Sequence, residues 1–267
     1  MTQNSEEEAG GAESAPPGLL ARAWEQCGTL VLAVTLALCI RTCIAEPYRI
    51  PSGSMLPTLL VGDHLFVNRF VYGIRIPFTE WKLPGLREPE RGEVVVFDVA
   101  RGPGSHVAAA DARPEWPRDR FVKRIVGLPG DHVEVRGTLL YINGEPVPLR
   151  DTGEQFDDDM GNELRVLRET LDGREHAILD DPAKGRVLEG EWRVPEDRYL
   201  MVGDNRDNSN DGRAWGTVRL VDFKGPAFMI YWSWNWDGAW IELANPLTWW
   251  RLLSDETRWD RIGAEIE

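Results

Sequence analysis

A serine hydroxyl becomes a useful nucleophile only when a neighbour takes its proton, and histidine, lysine or a free amine can do so. Ser54 stands in Pro51-Ser52-Gly53-Ser54-Met55-Leu56-Pro57-Thr58. Gly53 and the flanking prolines permit a turn that exposes the serine oxygen and aims backbone N–H groups at one point, as acyl transfer requires. Ser, Gly and Pro are also the ordinary composition of a loop, so the weight falls on finding a base. None of the four histidines pairs with another metal ligand at a useful helical spacing, and His64, in Gly62-Asp63-His64-Leu65-Phe66, reads as an exposed residue at a strand entry. Lys123 is more unusual. It lies within Phe121-Val122-Lys123-Arg124-Ile125-Val126-Gly127, where alternation puts it on one face with Phe121 and Ile125. A lysine among apolar neighbours either snorkels to water or is desolvated. Desolvation lowers its reference pKa of about 10.4 by up to roughly 3–5 units, leaving a neutral amine that can act as a general base near pH 7. Periodicity alone favours the simpler picture, an edge-strand lysine facing water. The third constellation is Gly203-Asp204-Asn205-Arg206-Asp207-Asn208-Ser209-Asn210-Asp211-Gly212-Arg213, with three Asp, three Asn and two Arg. Short polar side chains in such number can cap backbone groups and make a rigid loop. Calcium is the rival occupant, and Arg206 and Arg213 speak against it, because they bring positive charge that neutralises the carboxylates directly.

The elements that must position these groups read as β. After Tyr48, turn signals such as Gly62-Asp63, Pro129-Gly130-Asp131 and Asn143-Gly144-Glu145 punctuate short apolar runs. The runs predict strands at His64–Phe70, Glu93–Val99, Phe121–Gly127, His132–Arg136, Thr138–Ile142, Tyr199–Gly203 and Ala227–Trp234. Asn143-Gly144 is the clearest hairpin turn. The charges Asp151, Glu154, Asp157, Asp158 and Asp159 predict a solvated loop opening an inserted cap subdomain over 150–197; loose calcium attraction there is disfavoured for want of an EF-hand pattern. Seven of the twelve tryptophans follow position 230. Alternation puts Trp232, Trp234 and Trp236 on one face, as core and as a belt at a membrane interface rather than a sugar platform.

Among the 267 residues, 30 Lys+Arg stand against 44 Asp+Glu, a net charge of −14. That balance excludes a duplex-binding protein, whose affinity comes from neutralising phosphates. A mean hydropathy of −0.35 hides one apolar run, Trp24–Ala45, charged only at Glu25 and Arg41. Its length suits one bilayer crossing, and it has no polar stripe of the kind a buried soluble helix keeps. The acidic segment before it is unlike the short basic start of a cleaved signal peptide, so an uncleaved anchor is expected. Residues 1–23 then form a disordered acidic tail. The three cysteines, Cys27, Cys39 and Cys43, all lie in or beside the anchor, which leaves the rest of the chain with neither a disulfide framework nor a thiolate metal site.

Four blocks bring these pieces together: PSGSMLPTLLVGDHLFVNR at 51–69, RGEVVVF at 91–97, KRIVGLPGD at 123–131 and MVGDNRDNSNDGRAWG at 201–216. With an anchor just before the first, the sequence from Pro47 to Ile262 strongly resembles bacterial type I signal peptidase, a family of membrane-bound Ser/Lys proteases. The resemblance implies a mainly β fold: a signal-peptidase-like catalytic core (46–149 and 198–267) with an inserted β cap, preceded by one transmembrane helix. It implies Ser54 as nucleophile, Lys123 as general base, and the Ser54 N–H with the Ser52 hydroxyl as oxyanion hole. Ser209 would orient the lysine amine and Gly203 would permit its close approach. Asp204, Arg206, Asp211 and Arg213 would hold the loop through ion pairs that include Arg124, while Ile50, Pro51, Met55, Leu59, Phe121 and Val122 would line shallow pockets for small residues before the scissile bond. Neither a cofactor nor a metal is implied. The partners implied are secretory preproteins, membrane lipid and the export machinery, with no nucleic acid. The tail would face the cytoplasm and the catalytic domain the outer side of the bacterial inner membrane. The rival readings are a self-cleaving repressor, which lacks a DNA-binding segment here, and a catalytically silent membrane-anchored β module, which predicts that Ser54, Lys123 and Ser209 are replaced.

Overall fold

Runs of β-branched and aromatic residues with period-2 burial dominate the architecture, as their sequence pattern dictates. The computed structural model describes residues 27–34, 46–73, 83–102, 106–107, 116–158, 161–184, 188–235 and 252–266. The chain divides into Met1–Arg41 and Thr42–Glu267. Within the first unit, 27–34 is helical and exposed. Among the described residues no helix is long and apolar enough to cross a membrane; the rest of the expected anchor, the acidic tail and Trp236, Trp240, Trp249 and Trp250 lie outside them.

The second unit is mainly β, with fifteen strands among its described residues, numbered β1–β15 along the chain. The principal sheet runs β1 (Glu46–Arg49), β2 (Asp63–Val67), β15 (Phe223–Ser233), β3 (Val94–Arg101), β5 (Arg118–Gly127), β13 (Arg198–Val202), β14 (Val218–Arg219), and the short β4 (His106–Val107) also pairs with β3. All the pairings are antiparallel. Val94-Val95-Val96-Phe97 is buried on both faces, which is why that run is apolar throughout rather than alternating. β15 bulges three times along its pairings. One bulge falls at Gly225, where φ is +152° and a Cβ would come within 2.1 Å of Asn68 O, so only glycine fits.

Between β5 and β13 the chain leaves the principal sheet and builds two smaller ones. A four-stranded sheet orders β12 (Gly190–Arg193), β6 (His132–Arg136), β7 (Leu139–Ile142) and β8 (Glu145–Pro146). The β7–β8 turn is Asn143-Gly144, both at positive φ, the geometry that its sequence predicts. The other sheet orders β11 (Arg174–Asp180), β10 (Glu163–Leu171) and β9 (Leu149–Asp157). Here the loop expected over 151–159 is corrected: most of it is strand. β9 is an edge strand that leaves its acids exposed while Phe156 packs with Leu56, Leu164, Val166 and Leu179. Charge on an edge strand blunts pairing with other chains, and it disguises the strand as a loop.

The chain's last described segment clasps the turn that follows Ser54. Asp63 is fully buried, a placement tolerable only with partners. It accepts from Ser233 Oγ at 2.6 Å and from Arg261 Nη2 at 2.6 Å. Arg261 Nη2 also donates to Thr58 O at 2.9 Å, and Arg258 Nη1 to Val61 O at 2.9 Å.

Candidate active site

Ser54 occupies a one-turn 3₁₀ segment, Gly53–Met55. Its entry is held by Ile50 N–H donating to Asp63 O at 2.8 Å, and its exit by Leu59 N–H donating to Met55 O at 2.9 Å. Ile50, Met55 and Leu59 anchor the turn in a core with Leu65, Val67, Val94 and Val96. The serine therefore sits on a buried apolar footing.

Lys123 faces it from β5. The edge-strand expectation is overturned, because β5 lies inside the sheet, paired to β3 through Val95 opposite Lys123 and to β13 from Arg124 onward. The lysine is only 2% exposed, and Nζ donates to Ser54 Oγ at 2.5 Å. A strand's own alternation says which residues share a face, not whether that face is covered. Burial depresses the ammonium to about 8, the nearby carboxylates of Asp211 and Asp204 opposing the shift and Arg213 adding to it. An amine with that pKa, in contact with a serine oxygen, has the geometry and the basicity for proton abstraction.

The loop after β13 surrounds this pair. Asp204 receives both Nε and Nη2 of Arg124, at 2.9 and 2.8 Å, and Thr58 Oγ1 at 2.6 Å. Although burial opposes ionisation, the Arg124 charge holds the Asp204 carboxyl below the usual range. Asp211 is gripped in the same bidentate fashion by Arg213 Nε and Nη2, both at 2.9 Å, and accepts Gly203 N–H at 2.9 Å. Its carboxyl too is held low against burial by its arginine. Both carboxylates are thus engaged by guanidinium groups, but only Asp211 by an arginine of its own motif; Asp204 takes Arg124 from β5, and Arg206 turns instead to Glu169. Among the described residues no group of three or more His, Cys, Asp or Glu could hold a metal.

Ser209 Oγ is buried beside Gly203 and has no hydrogen-bond partner among the described residues, Lys123 included. A Cβ on Gly203 would lie 2.2 Å from Ser209 Oγ and 2.6 Å from Ser54 O. Gly203→Ala must therefore displace the backbone of Ser54. We expect kcat to fall about 100-fold, the scale of a 1 Å misplacement, in a protein that still folds; turnover and circular dichroism measured together check this.

A cleft of about 840 Å³ opens over Ser54 and Lys123, and Ile50, Pro51, Ser52, Met55, Phe121 and Val122 share its walls. Leu59 is placed differently: it is fully buried in the core behind Ile50 and Met55. Ser52 has an extended backbone and its hydroxyl caps nothing. Neither that hydroxyl nor the Ser54 N–H is spent on a hydrogen bond among the described residues, so both donors are available at the cleft. His64 stands apart, bonded through Nδ1 to Gly62 O and set edge-on to Tyr231 and Trp234.

Sequence reasoning passed over two contributors. Asn205 donates from Nδ2 to Gly53 O at 3.1 Å and from its backbone N–H to Ser54 O at 3.2 Å. Thr58 ties the serine segment to Asp204. Both lie inside the blocks quoted above, and their polar side chains at the centre of otherwise assigned motifs were the available signal.

The chain is similar to known proteins over most of its length. The family model for signal peptidases, peptidase S26, matches residues 23–232. Signal peptidase I of Pseudomonas aeruginosa is 37% identical over 211 residues, covering 74% of this chain and 69% of that protein. A probable signal peptidase I-2 of Synechocystis is 36% identical over 236 residues, covering 87% of this chain and 83% of that protein. A crystal structure of signal peptidase I from Enterococcus faecalis matches 53% of this chain and 98% of that one, at 23% identity and a TM-score of 0.31. With a family match over most of its length and relatives at this identity, the chain belongs to the signal peptidase family of serine endopeptidases, peptidase S26.

Proposed function

We propose that the protein is a membrane-anchored endopeptidase that removes signal peptides from exported preproteins, cleaving after a small residue. The observation that carries the mechanism is the contact between the buried Lys123 Nζ and the half-buried Ser54 Oγ. In this reading neutral Lys123 takes the Ser54 proton as Oγ attacks the scissile carbonyl, and returns it to the leaving amine. The acyl-enzyme is then hydrolysed by water activated through the same amine. The Ser54 N–H and Ser52 hydroxyl meet the developing oxyanion, and Ser209 and Gly203 shape the approach of the lysine. A substrate strand laid along the cleft between Ile50–Pro51 and Phe121–Val122 would exclude water as it delivers its carbonyl. In this reading Ile50, Pro51, Met55, Phe121 and Val122, all at the cleft wall, receive the small side chains before the scissile bond. Leu59 supports that wall from behind.

Segment 24–45 anchors the enzyme, with the tail 1–23 in the cytoplasm and the catalytic core on the outer face of the inner membrane. There it meets preproteins as the export machinery delivers them, with 150–197 inserted into the core as a cap. Alkaline carbonate should leave the full chain in the membrane fraction; release into the soluble fraction would overturn the anchor.

The catalytic claim is tested by mass spectrometry of a processed preprotein across a pH series. A cut after a small residue is expected, and so is a definite pH dependence. The base works only as neutral amine, and with a pKa of about 8 only about one tenth of it is neutral at pH 7. kcat/KM should rise about tenfold per unit up to pH 8 and level off above it. A profile flat from pH 6 to 9, or no cleavage of several preproteins by folded protein, rejects the assignment.

A further inference from the structure

The inserted sheets have no group in the cleft chemistry described so far, yet one of them holds the loop that holds Ser54. Residues 204–207 run along the open edge of β11. Leu179 N–H donates to Asp204 O at 2.9 Å, Arg206 N–H donates to Leu179 O at 3.0 Å, and Asp181 N–H donates to the Asp207 carboxylate at 2.7 Å. From this seam the Arg206 side chain turns into the inserted sheet, where Glu169 Oε2 accepts Nη2 at 2.5 Å. Glu169 is 1% exposed and lies opposite His176 across the β10–β11 pairing, with His176 Nε2 at 3.3 Å from the same oxygen. Although burial opposes its ionisation, the Arg206 charge keeps Glu169 below the ordinary carboxylate range.

The consequences run both ways along the loop. Upstream, Asn205 is the neighbour of Arg206 and carries the two hydrogen bonds to Gly53 O and Ser54 O. Downstream, Arg206 O receives Arg213 Nη2 at 2.7 Å, and Arg213 orients Asp211, which in turn holds Gly203 N–H. The backbone of the nucleophile is thus located by a loop whose guanidinium anchor lies in another sheet. A buried charge pair with good geometry fixes its partners far more sharply than apolar contact does, since any slip strands a charge.

We propose that Glu169 is a positioning residue for Ser54, acting through Arg206 and Asn205, and that this is what the inserted β9–β11 sheet contributes to peptide-bond cleavage. The proposal rests on the reading of Ser54 as nucleophile. Glu169→Asp keeps the charge, and so the fold, but shortens the reach by one methylene. Its kcat on a preprotein should drop about tenfold or more with KM within twofold, because the apolar walls at Ile50, Pro51, Phe121 and Val122 are untouched. Formation of the Ser54 acyl-enzyme from the preprotein in a single turnover should slow by a similar factor, while the melting temperature stays within a few degrees. A second variant, Glu169→Gln with Arg206→Gln, removes both charges and leaves neither stranded. It should be folded and remain at least tenfold slow in kcat. Wild-type kcat in folded Glu169→Asp, or full recovery in the double variant, overturns the proposal, as does a loss carried in KM alone. Absence of cleavage by the folded wild type would instead reject the underlying reading of the site.

Discussion

Lys123→Met should abolish preprotein cleavage and leave a protein that is more stable at pH 7. The loss is expected to be 1,000-fold or more, since the change removes the only proton acceptor in contact with Ser54 Oγ among the described residues and a lone serine hydroxyl is a poor nucleophile. The gain in stability comes from the same burial. The folded lysine titrates at about 8 against an ordinary 10.5. The folded state therefore disfavours the ammonium, and the cost is present in full below pH 8, where both states carry the charge. It disappears as pH rises from 8 to 10.5, because the unfolded chain then releases a proton the folded one has already lost. A difference of that size corresponds to about 3 kcal/mol, of which the variant should recover about 1–3 kcal/mol at pH 7 and close to none at pH 11. Denaturant midpoints at the two pH values measure this. Equal or lower stability at pH 7 would mean that the ammonium is well solvated in the fold, and retained turnover would remove Lys123 from the mechanism.

Asp204→Asn should cost more stability than any change on the surface. Asp204 and Arg124 are each 1% exposed, and the substitution removes the buried carboxylate charge that receives both Nε and Nη2 of the guanidinium. Breaking such a pair costs about 3–5 kcal/mol, or a melting temperature lower by roughly 10 °C for a domain of this size. Activity should fall with it, because Thr58 and Arg124 lose the carboxylate that joins the serine turn to β5. The same geometry sets an acid limit. The Asp204 carboxyl is held low in the fold, so its contribution is present above the unfolded carboxylate range near pH 4 and is lost as pH falls through the folded value. Replacing both partners with apolar residues of similar volume should be milder than the single change, because no charge is stranded. A loss under about 2 °C in Asp204→Asn would show that water reaches Arg124.

The strands were legible where apolar residues alternate or run together between turns, and where turn chemistry is specific. Asn143-Gly144 adopts the positive φ values that its residue types favour, and the all-apolar run at Val94–Phe97 lies between covered faces. The edge strand β9 was not legible, since the acids that protect an edge look like loop residues. Around Ser54, the residue types needed for acyl transfer, a glycine-bearing turn, a lysine among apolar neighbours and a loop of acids with matching arginines, could all be read along the chain. Local chemistry suffices for that, because the demands on a turn, a strand face or an ion-paired loop are met by residues close in sequence.

The chain's linear order could not say which of these groups meet. Whether Lys123 faces water or Ser54 depends on what packs over its face of β5, here the Gly53–Met55 turn, which neither its own alternation nor its composition encodes. Asp63 finds Arg261 across 198 positions, Thr58 finds Asp204 across 146, and Glu169 finds Arg206 across 37. Each is a charge or hydroxyl that would be costly to bury alone and becomes affordable only when the sheets close around its partner. The depressed lysine pKa follows from the same closure: desolvation is a property of the packed interior, so the basicity of Lys123 arises in the tertiary structure, on a residue type that the sequence supplies.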